Sequence, residues 1–229
     1  MDRRYQPPVR DLAGALAVVT VAAACRRKGF PQDTSGAERA CYDRYLRILD
    51  SLERRSLFDC SLLDIGCSNG FFAYLFAVTM CRQVTAIEDS RGASVGYGEN
   101  AFLGPLCHAQ RESGLRHLEV LEAPIEEFLK TCPERRWDAV LCLSVLHHFY
   151  TGYGDHPEVG FLREEERRAL FAAIGRATGT VLYLEFDHGR VPEDFLSEFK
   201  DMGGFAGSTI IGSSASAVGE TRNIYELWK

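Results

Sequence analysis

A chain of 229 residues is long enough for one domain with a sizeable core. At 46% hydrophobic and 25% charged it has the composition of an ordinary soluble protein, and its net charge of −6 leaves no overall basic footprint for nucleic acid or an anionic membrane. Its eight cysteines are scattered with no Cys-x-x-Cys pair, which fits reduced thiols in a cytoplasmic setting better than a disulfide framework.

Residues 9–27 read as a helix. Within it, residues 12–25 are apolar and alanine-rich but too short to span a membrane. The run has the look of a signal-peptide core, with Ala22-Ala23-Ala24-Cys25 as a cleavage box. Asp2, Asp11 and the following Arg26-Arg27-Lys28 favour a packed amphipathic helix instead. Residues 29–36 form a loop by composition. Residues 37–54 predict a second helix, with Leu46, Leu49 and Leu52 on one face and Tyr42, Arg44 and Tyr45 nearby.

Then strands and helices alternate. Strand-like runs fall at 60–65, 84–88, 118–121, 138–143, 180–186, 207–212 and 222–228. Helix-like runs fall at 71–81, 92–101, 124–131, 164–177 and 193–201. Such alternation predicts an α/β fold with a doubly wound, mostly parallel sheet. The last two strands have no room for a crossover helix between them, so they are expected to pair as an antiparallel hairpin.

The first strand runs into the chain's most informative stretch. Leu62, Leu63, Asp64 and Ile65 lead to Gly66, Cys67, Ser68, Asn69 and Gly70, and an apolar helical run starts at Phe71. Glycines at a strand-to-helix corner let the backbone turn tightly and approach a ligand, with the free N–H groups of the new helix facing it. The pattern is not the dinucleotide G-x-G-x-x-G, because Ser68 stands where the second glycine would be. The letters Gly66-x-Ser68-x-Gly70 also spell a hydrolase nucleophile elbow, with His188 available as a late base. That reading lacks the strands and oxyanion loop which should precede the elbow.

The second strand ends on Glu88 and Asp89, with Glu88 22 residues past Gly66. A carboxylate at about 20 residues' offset can accept both hydroxyls of a ribose. A strand-tip acid can also simply be solvated. The fourth strand opens at Asp138 and runs through Leu143-Ser144 into Val145-Leu146-His147-His148-Phe149.

Asp-x-Gly-x-x-x-Gly with the acid on the strand tip resembles the first motif of class I S-adenosylmethionine-dependent methyltransferases. The run Leu-Ser-Val-Leu-His-His-Phe is similar to their fourth motif. The resemblance covers roughly residues 58–229 and implies a seven-stranded αβα sandwich, with residues 1–57 as an N-terminal helical lid or extension. It implies S-adenosyl-L-methionine as cofactor, bound by Asp64, Gly66, Cys67, Ser68, Gly70, Glu88 and Asp89. By the same resemblance the adenine lies against Pro124 and Ile125. Pro124 has no N–H, so Ala123 or Ile125 would supply the backbone donor, and Glu122 or Glu126 the side-chain acceptor. Both Glu126 and Glu127 also suit a helix's first turn by charge alone. The methionine end of the cofactor would sit at Leu143 and Ser144.

His148 is the candidate general base, because a histidine titrates near neutral pH; the alternative is a structural histidine bonded to backbone. No metal is expected, although Glu185, Asp187, His188, Asp155 and His156 are of ligating types. Residues 150–162, rich in glycine and aromatics, predict a substrate-facing loop. The Asn-Pro-Pro-Tyr signature of base-modifying amino-methyltransferases is absent, so a small molecule or saccharide is the expected substrate and nucleic acid a less favoured one. A cofactor-binding module without catalysis is the remaining alternative.

Overall fold

The computed structural model of the protein describes residues 35–68, 70–89, 107, 110–153, 159–215 and 221–229, with side chains from Arg44 onward in the first helix and up to Ser213 in the sixth strand. The helices expected at 9–27 and 92–101 lie outside the described residues, as do Asn69, Asp155 and His156. In chain order the elements are α1 (Ser35–Arg54), β1 (Ser61–Ile65), α2 (Phe71–Thr79), β2 (Gln83–Glu88), β3 (Leu118–Glu122), α3 (Ile125–Thr131), β4 (Trp137–Leu143), α4 (His148–Thr151), α5 (Glu164–Ala177), β5 (Thr178–Glu185), a 3-10 turn (His188–Arg190), α6 (Phe195–Gly203), β6 (Gly207–Ala215) and β7 (Thr221–Trp228).

The strands form one seven-stranded sheet in the order β3-β2-β1-β4-β5-β7-β6. The first five strands pair in parallel, while β7 inserts antiparallel between β5 and β6. The chain order reverses between β1 and β4, whose carboxyl ends therefore open a crevice at the topological switch point.

Strand residues alternate between two cores, as the two-residue period of a pleat requires. Leu62, Leu141 and Tyr183 face the layer holding α1 and α2, and Leu63, Val140 and Leu182 face the layer holding α3, α5 and α6. On the second side, helices α5 and α6 cross so closely that a Cβ on Gly175 would lie 2.2 Å from the Gly203 carbonyl oxygen. Only glycine admits that approach.

The described part of helix α1 packs on the first side of the sheet. Tyr45, Ile48 and Leu52 are buried in the first core, whereas Leu46 is 38% exposed. The apolar face is thus turned by one residue from the leucine stripe read in the sequence. Ser51 is buried beside it, bonding the Tyr183 hydroxyl at 2.8 Å and donating to Glu226, which Arg55 also pairs. These contacts make the described half of α1 a layer of the sandwich.

Candidate active site

The crevice is built from the corner after β1. Gly66, Ser68 and Gly70 all have positive φ (68°, 51° and 78°). Gly66 and Cys67 donate their N–H groups to the Ile87 carbonyl at 2.8 and 3.0 Å, which ties the corner to β2. A Cβ on Gly66 would stand 2.4 Å from Cγ2 of the buried Val145, so the corner can pass beneath the loop after β4 only as glycine. Asp64 is buried and accepts the Ala73 N–H of α2 at 3.1 Å. Burial, with the nearby Glu88 charge, pushes its carboxyl up to about 7. Cys67 is buried, and burial raises its thiol well above the usual range, so it lines the corner as an unreactive apolar group.

Glu88 stands at the tip of β2, beside the corner. One carboxylate oxygen accepts the Ser68 N–H and the other accepts the Asp89 N–H at 3.0 Å. Burial raises its pKa and those two hydrogen bonds oppose the rise. A carboxylate has about four acceptor positions, so two remain for hydroxyl donors. These features fit the nucleoside part of S-adenosylmethionine. The corner turns through Gly66 and Gly70 at positive φ, and an acid at ribose offset is fixed by the same loop.

At the next strand tip, Ala123 donates its N–H to the Glu88 carbonyl at 3.0 Å. This removes one of the two donors open in the sequence, leaving the Ile125 N–H at the first position of α3, behind Pro124. Glu122 is exposed and Glu126 is half-buried.

Across the crevice, Leu143 ends β4 and Ser144 turns at φ 60°. Ser144 donates its N–H to the Glu185 carbonyl at 2.8 Å and its hydroxyl to Glu185 Oε1 at 2.7 Å. Glu185 is fully buried, and the Arg44 guanidinium reaches both its oxygens at 3.2 and 3.0 Å. Arg222, from β7, contacts Ser144 Oγ and Asp187 Oδ2, each at 3.3 Å. Arg190 grips Thr151 Oγ1 and the Gly152 carbonyl from the 3-10 turn. His188 begins that turn, and its Nε2 lies 3.3 Å from the Tyr225 hydroxyl.

His147 is buried, and its Nδ1 has no partner among the described residues. Burial pushes its pKa down to about 2. His148 is half-buried, stacks on Tyr153 at 4.3 Å and places Nδ1 3.2 Å from the Gly152 carbonyl. That contact assigns the proton to Nδ1 and leaves Nε2 as the acceptor nitrogen. Burial lowers its pKa to about 4, with the arginines adding to the shift, so the near-neutral value expected from residue type does not hold here. Among the described residues no three His, Cys, Asp or Glu side chains group as a metal site.

The structure thus brings Asp64, Gly66, Cys67, Ser68, Gly70, Glu88 and Asp89 together on one side of the crevice, with Leu143, Ser144 and His148 on the other. Sequence reasoning missed Arg190 and Arg222. Neither sits in a motif, and only the 3-10 turn and the insertion of β7 bring them to the loop after β4.

Residues 63–169 match the profile of a methyltransferase domain family. No curated protein matches the sequence significantly. Among solved structures, magnesium protoporphyrin IX methyltransferase (ChlM) from Synechocystis PCC 6803 with bound SAM superposes with a TM-score of 0.62 at 15% identity, covering 100% of both chains. WbdD, described as a bifunctional kinase-methyltransferase, superposes with a TM-score of 0.59 at 20% identity over 81% of this chain and 35% of its own. EvdMO1 gives 0.54 at 18% identity over 88% of this chain and 42% of its own. The chain therefore spans about a third to two fifths of the WbdD and EvdMO1 chains it matches. At these identities the likenesses speak to the fold, and it is the family profile over residues 63–169 that marks a methyltransferase domain within it.

Proposed function

We propose that the chain transfers a methyl group from S-adenosylmethionine to an oxygen or nitrogen of a small molecule or saccharide. The observation that carries this reading is the lock between the Ser68 N–H and Glu88, which fixes the glycine corner and the ribose acid as one unit. Gly66, Ser68 and Gly70 would bed the cofactor, Glu88 would hold the ribose, and Ile125 would meet the adenine. The cofactor supplies an activated sulfonium methyl. The chain's own task is to align the acceptor and to manage its proton. His148 Nε2 is the available proton acceptor beside Ser144, although a pKa of about 4 makes it a weak base. The negative net charge keeps nucleic acid a less favoured acceptor, and the cysteine pattern keeps the cytoplasm as the expected compartment. Among the described residues no helix is long and apolar enough to cross a membrane.

Calorimetry tests the reading directly. S-adenosylhomocysteine should bind saturably, NAD far more weakly, and Gly66→Val should abolish binding because its side chain would collide with Val145. Equal affinity for NAD, or binding undisturbed by Gly66→Val, would refute it.

A further inference from the structure

Arg190 is held in an unusual way. Its Nε donates to Thr151 Oγ1 at 2.9 Å, and its Nη2 donates to the same oxygen and to the Gly152 carbonyl, the latter at 2.8 Å. The Thr151 hydroxyl gives its own proton to the His147 carbonyl, so its lone pairs are turned to the guanidinium. All these acceptors are neutral. Among the described residues no carboxylate pairs with Arg190, and its Nη1 has no partner. The other two arginines at this end are balanced, Arg44 by Glu185 and Arg222 by Asp187.

A half-buried guanidinium whose Nε and Nη2 donate to neutral oxygens, with Nη1 unengaged, is arranged for an external anion. Holding a guanidinium partly out of water without a counter-ion costs free energy that an arriving oxyanion returns. The position is at the reaction end of the crevice. Arg190 Nη2 and His148 Nδ1 meet at the same Gly152 carbonyl, and the second guanidinium, Arg222, touches Ser144 where the chain leaves β4. With both histidines kept neutral by burial and by the arginine field, the described groups at this end carry one excess positive charge.

We propose that the molecule accepting the methyl group carries an oxyanion, a carboxylate or a phosphate ester, which the Nη1 edge of Arg190 binds. The inference rests on the methyltransferase reading only in calling that molecule the acceptor; the anion site itself needs no cofactor. An oxyanion handle places the acceptor beside His148, and planar guanidinium recognition discriminates against neutral analogues.

The test follows the histidine ring NMR signals of the full chain without cofactor, as sodium phosphate or sodium acetate replaces chloride at constant ionic strength. His148 is assigned through His148→Gln. His117 is the internal control, because it is bound to the Ala77 carbonyl at the amino ends of the strands, away from the crevice. The expected result is a saturable shift of the His148 signal with His117 unmoved. Arg190→Gln should weaken the apparent affinity at least tenfold, and Arg190→Lys by less, because the charge survives and the fork does not. The anion that binds more tightly names the source, acetate for a carboxylate acceptor and phosphate for a phosphate ester. A non-saturating shift, equal shifts at His117 and His148, or unchanged affinity in a folded Arg190→Gln would overturn the proposal. The first two outcomes are read on the wild type and stand even if the variant fails to fold. Because the cofactor is absent from the sample, a negative result here leaves the calorimetric test of the methyltransferase reading untouched, and the converse also holds.

Discussion

Under the proposed reading, Glu88 would serve two purposes with one side chain. Its carboxylate accepts the Ser68 and Asp89 N–H groups, shaping the corner, and keeps lone pairs for a diol. Glu88→Ala should therefore weaken S-adenosylhomocysteine binding by about 1.5–3 kcal/mol, the worth of hydrogen bonds to a charged group. Calorimetry would show this as roughly a ten- to 150-fold rise in Kd, and an unchanged Kd would remove Glu88 from the ribose site. His148 poses a different question. If it takes a proton from a hydroxyl acceptor, His148→Ala should lower kcat by about 10²–10⁴-fold and leave cofactor affinity within a few-fold. The ascending limb of the wild-type pH–rate profile should then lie near 4, because burial has moved the histidine there. An acceptor that arrives as an oxyanion and is methylated there needs no base, and kcat would then survive the substitution.

Among the elements, α1 buries a different face from the one its leucines mark. The leucine stripe at 46, 49 and 52 suggested the buried face, but the helix buries Tyr45, Ile48 and Leu52. Alternative three-residue stripes on one helix differ by only 100° of rotation, and local periodicity cannot choose between them. The choice came from the sheet, where Tyr183 and Ile224 present apolar surface to this side. Leu52→Ala should cost about 2–5 kcal/mol, as for other fully buried leucines. Leu46→Ala should stay within about 0.5 kcal/mol, as for exposed positions. Urea titration of the two variants would separate these outcomes. Similar costs at both positions would mean that α1 is turned otherwise.

The whole molecule should show opposing pH trends. Native His147 and His148 have pKa values depressed to about 2 and 4, so their contribution to stability is present above the unfolded value of ~6.5 and is lost as pH falls below it. Native Asp64 is raised to about 7, so its contribution is full below the unfolded value of ~3.9 and is lost as pH rises toward 7. Asp64→Asn keeps an acceptor for the Ala73 N–H but cannot ionise. Relative to the wild type it should become progressively more stable between pH 4 and 7, by a few kcal/mol in all. Urea midpoints measured across that range would check this, and a pH-independent difference would place Asp64 in a wetter setting.

At this scale the strand alternation, the terminal hairpin, the glycine corner and Glu88 were legible in the sequence, because each rests on short-range spacing: a two-residue pleat, a glycine turn, an acid at the next strand tip. His147 and His148 were legible as residues but not in their chemistry, since burial and arginines from other elements set their pKa values. The donor choice between Ala123 and Ile125 fell to one hydrogen bond across strands, Ala123 to the Glu88 carbonyl. The pairing of Arg44 with Glu185, the contact of Arg222 with Ser144 and the grip of Arg190 on Thr151 and Gly152 join positions 141, 78 and 38–39 residues apart. Sequence by itself determined the scaffold and the glycine corner with its strand-tip acid. Tertiary structure alone decided the charge and the proton chemistry around His147, His148 and the arginines, because electrostatic interactions depend on distance and burial in space, neither of which separation along the chain specifies.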